Sequence, residues 1–193
     1  LRNACQQVAF WHEDGIEALS LAVNLSVRQF NDPGLLDKIR DALDHSGLAP
    51  ELLELEITES VVINNPERAY RLMSQIKELG VKLAIDDFGT GYSSLGQLKN
   101  YPIDTLKIDR VFIQEIPQKK EDEAITRAII SMGKTLGLTI VAEGVEQSEQ
   151  MDFLHEQQCD IIQGFYFHRP VAAAEFAQWF RLHDPASFRL TSV

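Results

Sequence analysis

The chain has 193 residues, of which 45% are hydrophobic, 24% charged and 8% aromatic, a balance that excludes collagen-like, low-complexity and disordered classes. A formal net charge of −11 argues against a broad basic surface for DNA or RNA polymers. No run reaches the ~18 apolar residues of a membrane span, and Cys5 and Cys159 are too few for a disulfide framework. The expectation is therefore a cytoplasmic protein, with any membrane anchor carried by other domains of a parent protein.

Helical patterning is present from Leu1 onward without a capping residue, so the sequence reads as starting inside an element. Leu-, Ile- and Val-rich runs at 19–24, 53–57, 81–85, 105–108, 138–142 and 160–163 predict strands. Amphipathic stretches at 1–13, 33–46, 66–79, 121–136, 148–157 and 172–183 predict helices between them, and 93–99 predicts a short helix or turn. In 124–136 the apolar positions 125, 129, 130, 132 and 136 mark the expected buried face. Gly47, Gly80 and Gly137 stand where left-handed helix caps are expected. Six βα repeats without a long linker predict one α/β domain over 1–183 with a mostly parallel sheet, open or closed into a barrel, followed by a tail at 184–193. No internal sequence repeat is expected.

Each predicted strand begins apolar and finishes polar. The ends carry Asn24, Glu56, Asp86-Asp87, Lys107 with Asp109, Glu143 and Gln163. In parallel α/β folds the carboxyl ends of the strands are where ligands bind. Asn24, Glu56, Asp86 and Asp87 are all oxygen donors, a set suited to Mg²⁺ or Mn²⁺ rather than zinc or copper. Adjacent aspartates repel unless a cation lies beside them, and a bridging carboxylate could hold two ions ~3.5–4 Å apart for attack on a phosphodiester. Lys107 would supply fixed positive charge and Glu143 a general base, although a structural Lys107–Asp109 ion pair is the plain alternative. Gly89 and Thr90 open a glycine-rich turn whose amides could face phosphate. Gly133-Lys134-Thr135 is not a phosphate loop, because it lies inside a predicted helix. His155 with Cys159 reads as helix surface followed by a small buried thiol, and Glu54, on the same strand side as Glu56, has no assigned role.

Val23-Asn-Leu-Ser26, Glu56-Ile-Thr-Glu59, Asp86-Asp-Phe-Gly-Thr-Gly-Tyr-Ser-Ser-Leu95, Lys107-Ile-Asp109, Val141-Ala-Glu-Gly-Val-Glu146 and Gln163-Gly164 together resemble the EAL-domain family. These are bacterial phosphodiesterases that linearise cyclic dimeric GMP (c-di-GMP) to pGpG. The resemblance implies a TIM-like barrel with one strand running against the others. It implies that Asn24, Glu56 and Asp86 ligate one divalent ion, that Asp86 and Asp87 reach a second, and that Lys107 holds the nucleophilic water or phosphate. Glu143 would be the base or a ligand, Gln163 would sit beside the water, and Glu59 and Glu146 would brace the loop after the third strand. Asp109, Gly89, Thr90, Phe165, Arg169 and Pro170 are weaker substrate-binding candidates. The resemblance also implies a homodimer and fused sensory or GGDEF domains.

One departure stands out. The family's Glu-Ala-Leu motif, whose glutamate is a further metal ligand, has no counterpart ahead of Leu1, and Glu17-Ala18-Leu19 falls in the wrong order to replace it. A complete (β/α)₈ barrel takes ~250 residues, so the 193 residues are expected to be the C-terminal part of a longer domain, weak or inactive alone. A non-catalytic c-di-GMP-binding regulatory module is the alternative function.

Overall fold

A computed structural model describes residues 1–16, 19–89 and 98–183, the side chains of 62–64 excepted. The chain divides into two compact units, Leu1–Asp86 with Gly91–Asp104, and Asp87–Thr90 with Thr105–Val193. Of the expected segment at 93–99, residues 93–97 lie outside the described residues, as do the position Thr90 and the tail at 184–193.

In the first unit, α1 (Arg2–Glu13) packs on α3 (Leu35–Ser46), with Arg2 3.5 Å from Asp41 at the rim. Strands β1 (Leu21–Leu25), β2 (Leu53–Thr58) and β3 (Lys82–Phe88) pair in that order and in parallel. Leu53, Leu55 and Ile57 are fully buried with Leu83 and Ile85, the register partners of the latter two. The alternate positions Glu54, Glu56 and Thr58 therefore occupy the opposite side of the pleat. Glu54 stands in register with Lys82, which puts opposite charges side by side at the strand starts. Helix α5 (Pro66–Glu78) starts with Pro66 behind an Asn65 cap and buries Ala69, Met73 and Ile76 at helical spacing.

Two short helices were not foreseen. Val27–Phe30 (α2) is started by a capping box in which the Ser26 and Gln29 side chains each accept from the other's backbone N–H. Glu59–Asn64 (α4) follows β2 directly. Both are shorter than the window that reveals helical periodicity.

The second unit holds β4 (Thr105–Ile108), β5 (Thr139–Ala142) and β6 (Ile161–Ile162), again parallel and in order. Between them lie α6 (Lys120–Thr135) and α7 (Ser148–Glu156), and α8 (Ala173–Leu182) comes last. All described pairings are parallel, so the strand expected to run against the others is not among them. The buried stripe of α6 is Thr126, Ile129, Ile130 and Gly133, whereas Ile125 and Leu136 are exposed, which corrects the expected face. The cause is Gly133, where a Cβ would overlap Ile140 Cδ1, so the helix backbone itself seats on β5. Gly133-Lys134-Thr135 is thus helix, as expected, and Gly47, Gly80 and Gly137 do take positive φ at helix ends.

One device recurs in both units. Asp104, directly before β4, accepts from the Leu83 backbone N–H at 2.8 Å and from Lys77 Nζ at 2.7 Å. Asp160, directly before β6, accepts from the Ile140 N–H at 2.9 Å, with Lys134 Nζ 3.8 Å away. The lysine precedes the clamped strand residue by the same spacing, in Lys77-Glu-Leu-Gly-Val-Lys-Leu83 and Lys134-Thr-Leu-Gly-Leu-Thr-Ile140. The likeness is confined to these seven-residue stretches. Asp104→Ala and Asp160→Ala should each lower stability by about 1–3 kcal/mol in urea unfolding, since a backbone donor at a strand start loses its charged acceptor. The corresponding Asn variants, which keep an acceptor, should recover part of that. A change under about 0.5 kcal/mol in both alanine variants would show the clamps to be ornamental.

Cys5 and Cys159 are both free and buried. Burial pushes the Cys159 thiol up to about 11. The raised value means the folded protein holds the proton more tightly than the unfolded chain. The thiol's contribution is thus complete below the ordinary value of 9.0 and lost as pH rises toward 11. Cys159→Ala should remove that part of the alkaline loss, read as a flatter Tm-versus-pH curve between those values.

Candidate functional site

In the first unit, Asn24 and Glu56 are register partners, Glu56 is paired with Ala84, and Asp86 follows Ala84 by two residues. The two-residue period therefore assigns Asn24, Glu56 and Asp86 to one side of three adjacent strands, near their carboxyl ends. Asn24 is exposed, whereas Glu56 and Asp86 are buried. β3 extends beyond the predicted 81–85, so both aspartates lie within the strand rather than after it.

The second unit begins at Asp87, whose φ of +56° places a non-glycine residue in the left-handed region. That conformation interrupts the alternation of the strand, so Asp87 need not face away from its neighbour. A carboxylate oxygen of Asp87 lies within 4.8 Å of one from Glu143. Lys107 and Val141 are register partners and Glu143 follows Val141 by two, which aligns Lys107 and Glu143 on one side. Lys107 Nζ is 2.6 Å from Glu143 Oε1, with 5% of the lysine side chain and 20% of the glutamate side chain exposed. Lys107 thus forms a salt bridge with Glu143. Asp109 instead accepts from the Val111 N–H at 2.7 Å and caps the 3₁₀ turn Arg110–Phe112.

Backbone contacts hold the segment after β5. The Glu143 N–H donates to Ile108 O, and the Val145 N–H donates to Gln163 O at 3.1 Å. The Gln163 N–H donates to Ala142 O and the Tyr166 N–H to Val145 O. A Cβ on Gly164 would overlap the Val145 backbone, so only glycine permits this crossing immediately after Gln163. Gln163 itself lies one residue past β6, which is shorter than the predicted 160–163.

Phe165, Arg169 and Pro170 are exposed, with the Arg169 guanidinium 4.8 Å above the Phe165 ring. Gly89 is described, but Thr90 and the loop that Glu59 and Glu146 would brace are outside the described residues. Glu59 is buried and Glu146 exposed. A cavity of about 400 Å³ lined by Pro66, Glu67, Tyr70, Arg71, Asn100 and Tyr101 contains none of the predicted site residues. Reading residue types at strand ends missed Gln150, buried on α7, although its capping spacing with Gln147 was visible.

The acidic residues could hold a metal ion: Asp87 and Glu143 both offer carboxylate oxygens into one small volume. No helix among the described residues is long and apolar enough to cross a membrane.

The EAL domain family model matches residues 1–170. The chain is 44% identical over 183 residues to the cyclic di-GMP phosphodiesterase NbdA of Pseudomonas aeruginosa, covering 95% of this chain and 23% of NbdA. It is 46% identical over 177 residues to the signaling protein YkoW of Bacillus subtilis, covering 92% of this chain and 22% of YkoW. The chain thus spans under a quarter of the length of these curated relatives. Among solved structures, the PaMucR phosphodiesterase in its c-di-GMP complex aligns with a TM-score of 0.88 at 44% identity, over 91% of this chain and 71% of that one. The EAL domain of Mycobacterium smegmatis DcpA aligns with a TM-score of 0.88 at 36% identity, over 97% of this chain and 82% of that one. The α/β, TIM-like fold class expected from the sequence is that of these neighbours, and the chain belongs to the EAL-domain family.

Proposed function

We propose that this domain is a divalent-metal-dependent phosphodiesterase that opens one phosphodiester of c-di-GMP to give linear pGpG. The observation that carries the reading is the close pair of buried Lys107 with half-buried Glu143 next to Asp87, in a chain so similar to proteins named as c-di-GMP phosphodiesterases. Asn24, Glu56 and Asp86 would hold one Mg²⁺ or Mn²⁺, and Asp86 and Asp87 would reach a second. Such ions supply positive charge against phosphate oxygens and make a water more acidic.

The chain's own groups do the rest. Glu143 takes the proton of the attacking water, and the Lys107 ammonium fixes that carboxylate while opposing the negative charge of the phosphate. Water oxygen bonds to phosphorus, the bond to the 3′ oxygen breaks, and the leaving oxygen receives a proton. Gln163 orients the water, Glu59 and Glu146 brace the loop after β3, and Gly89, Thr90, Asp109, Phe165, Arg169 and Pro170 border the nucleotide. A homodimer, fused sensory or GGDEF domains and a cytoplasmic site of action complete the proposal.

Chromatography of c-di-GMP incubated with the full protein and Mg²⁺ or Mn²⁺ tests it. Conversion to pGpG that stops on chelation is the expected result. Metal-independent binding without any linear product would overturn it in favour of a regulatory binding module.

A further inference from the structure

We propose that Gln150 is a positioning residue for Glu143, an inference that rests on the function proposed above. Gln150 is the third residue of α7 and is 2% exposed. Its Oε1 accepts from two consecutive backbone amides, Glu146 N–H at 2.8 Å and Gln147 N–H at 3.1 Å. Its Nε2 donates to the Gln114 backbone oxygen at 3.3 Å. One buried amide side chain thus ties the turn leaving β5 to the segment leaving the Arg110–Phe112 turn.

The geometry gives this tie a direction. Glu143 begins the turn, held by its N–H on Ile108 O. Val145, fully buried, is fixed in the middle by Gln163 and Tyr166. Gln150 is the third anchor and closes the far end. Gly144, between the first two, has φ +72°, and a Cβ there would crowd Arg110 Cβ, so the turn leaves no room to relax towards β4. With the far end released, the Glu143 carboxylate would lose its set distance from Lys107 and Asp87. A helix-start glutamine usually caps with its side chain near solvent; burying both polar ends of this one is costly unless every hydrogen bond is made.

Groups that orient a reacting or ligating carboxylate typically change affinity or activity 10–100-fold when removed. Gln150→Met keeps the volume and removes all three bonds. Gln150→Glu keeps the acceptor for the Glu146 and Gln147 amides and loses the donor to Gln114. The full protein should show kcat about 10–100-fold lower in Gln150→Met with KM within about threefold, and faster hydrogen exchange at the Glu146 and Gln147 amides without metal. Gln150→Glu should restore protection of both amides and recover most of kcat.

Calorimetric Mn²⁺ binding should weaken in the Met variant and recover in the Glu variant. Ile39→Val, a core change in the first unit, serves as a stability control and should leave kcat unchanged. Two results overturn the inference: wild-type kcat in Gln150→Met, or loss of activity in Gln150→Glu despite restored amide protection. Absence of hydrolysis in the wild-type protein would instead overturn the proposed function.

Discussion

Glu143→Gln is expected to lower kcat by about 10²–10⁴ while KM for c-di-GMP changes little. The substitution keeps the side chain's shape and an oxygen that can accept from Lys107 Nζ, now 2.6 Å from the carboxylate. What disappears is the negative charge and the ability to take a proton. The effect therefore falls on the chemical step rather than on folding or substrate capture. Initial rates at saturating c-di-GMP with Mg²⁺, set beside urea unfolding of the same variant, check this. Activity within about threefold of wild type would remove Glu143 as the base, since glutamine cannot take the proton.

The strand-end residues were legible in advance for a physical reason. Each run turns from apolar to polar at its end, so Asn24, Glu56 and Asp86 could be assigned to strand ends, and the observed register adds that they share one side of the sheet. β4 was located without error because Asp104 and Asp109, both turn formers, bracket four buried residues. The buried face of α6 was misplaced because apolar residue type is a poor guide where the helix seats on Gly133. Nor did the sequence reading pair Lys107 with Glu143, because the two belong to different strands and the spacing Lys107-Ile-Asp109 offered a nearer partner. Gln150 was hidden by its type, since a glutamine near a helix start ordinarily reads as solvent-facing. The Asp104 and Asp160 clamps join residues 21 and 20 positions apart, beyond the reach of any local pattern, although the Lys-x-Leu-Gly recurrence marked where to look.

Lys107→Met should lose activity and, without divalent ions, stability as well. Lys107 is almost fully enclosed on the central part of β4, and its ammonium lies against Glu143 in the same unit as Asp87. Removing one partner of a buried pair strands the other, at a cost of about 3–5 kcal/mol when burial is complete. Glu143 keeps some solvent contact, so the lower end of that range is expected. The Asp87 and Glu143 carboxylates, within 4.8 Å of each other, would then lack the ammonium 2.6 Å from Glu143. Three consequences separate this account from simple loss of packing. Adding Mg²⁺ or Mn²⁺ should raise Tm more in Lys107→Met than in wild type, because the ion replaces part of the missing positive charge. The double variant Lys107→Met with Glu143→Gln should be more stable than Lys107→Met alone, since the stranded charge is gone. Restored stability in that double variant should bring back no hydrolysis, because both the ammonium and the base are absent. A double variant no more stable than Lys107→Met would show that the lysine acts through its aliphatic stem and not through the charge it presents to Glu143.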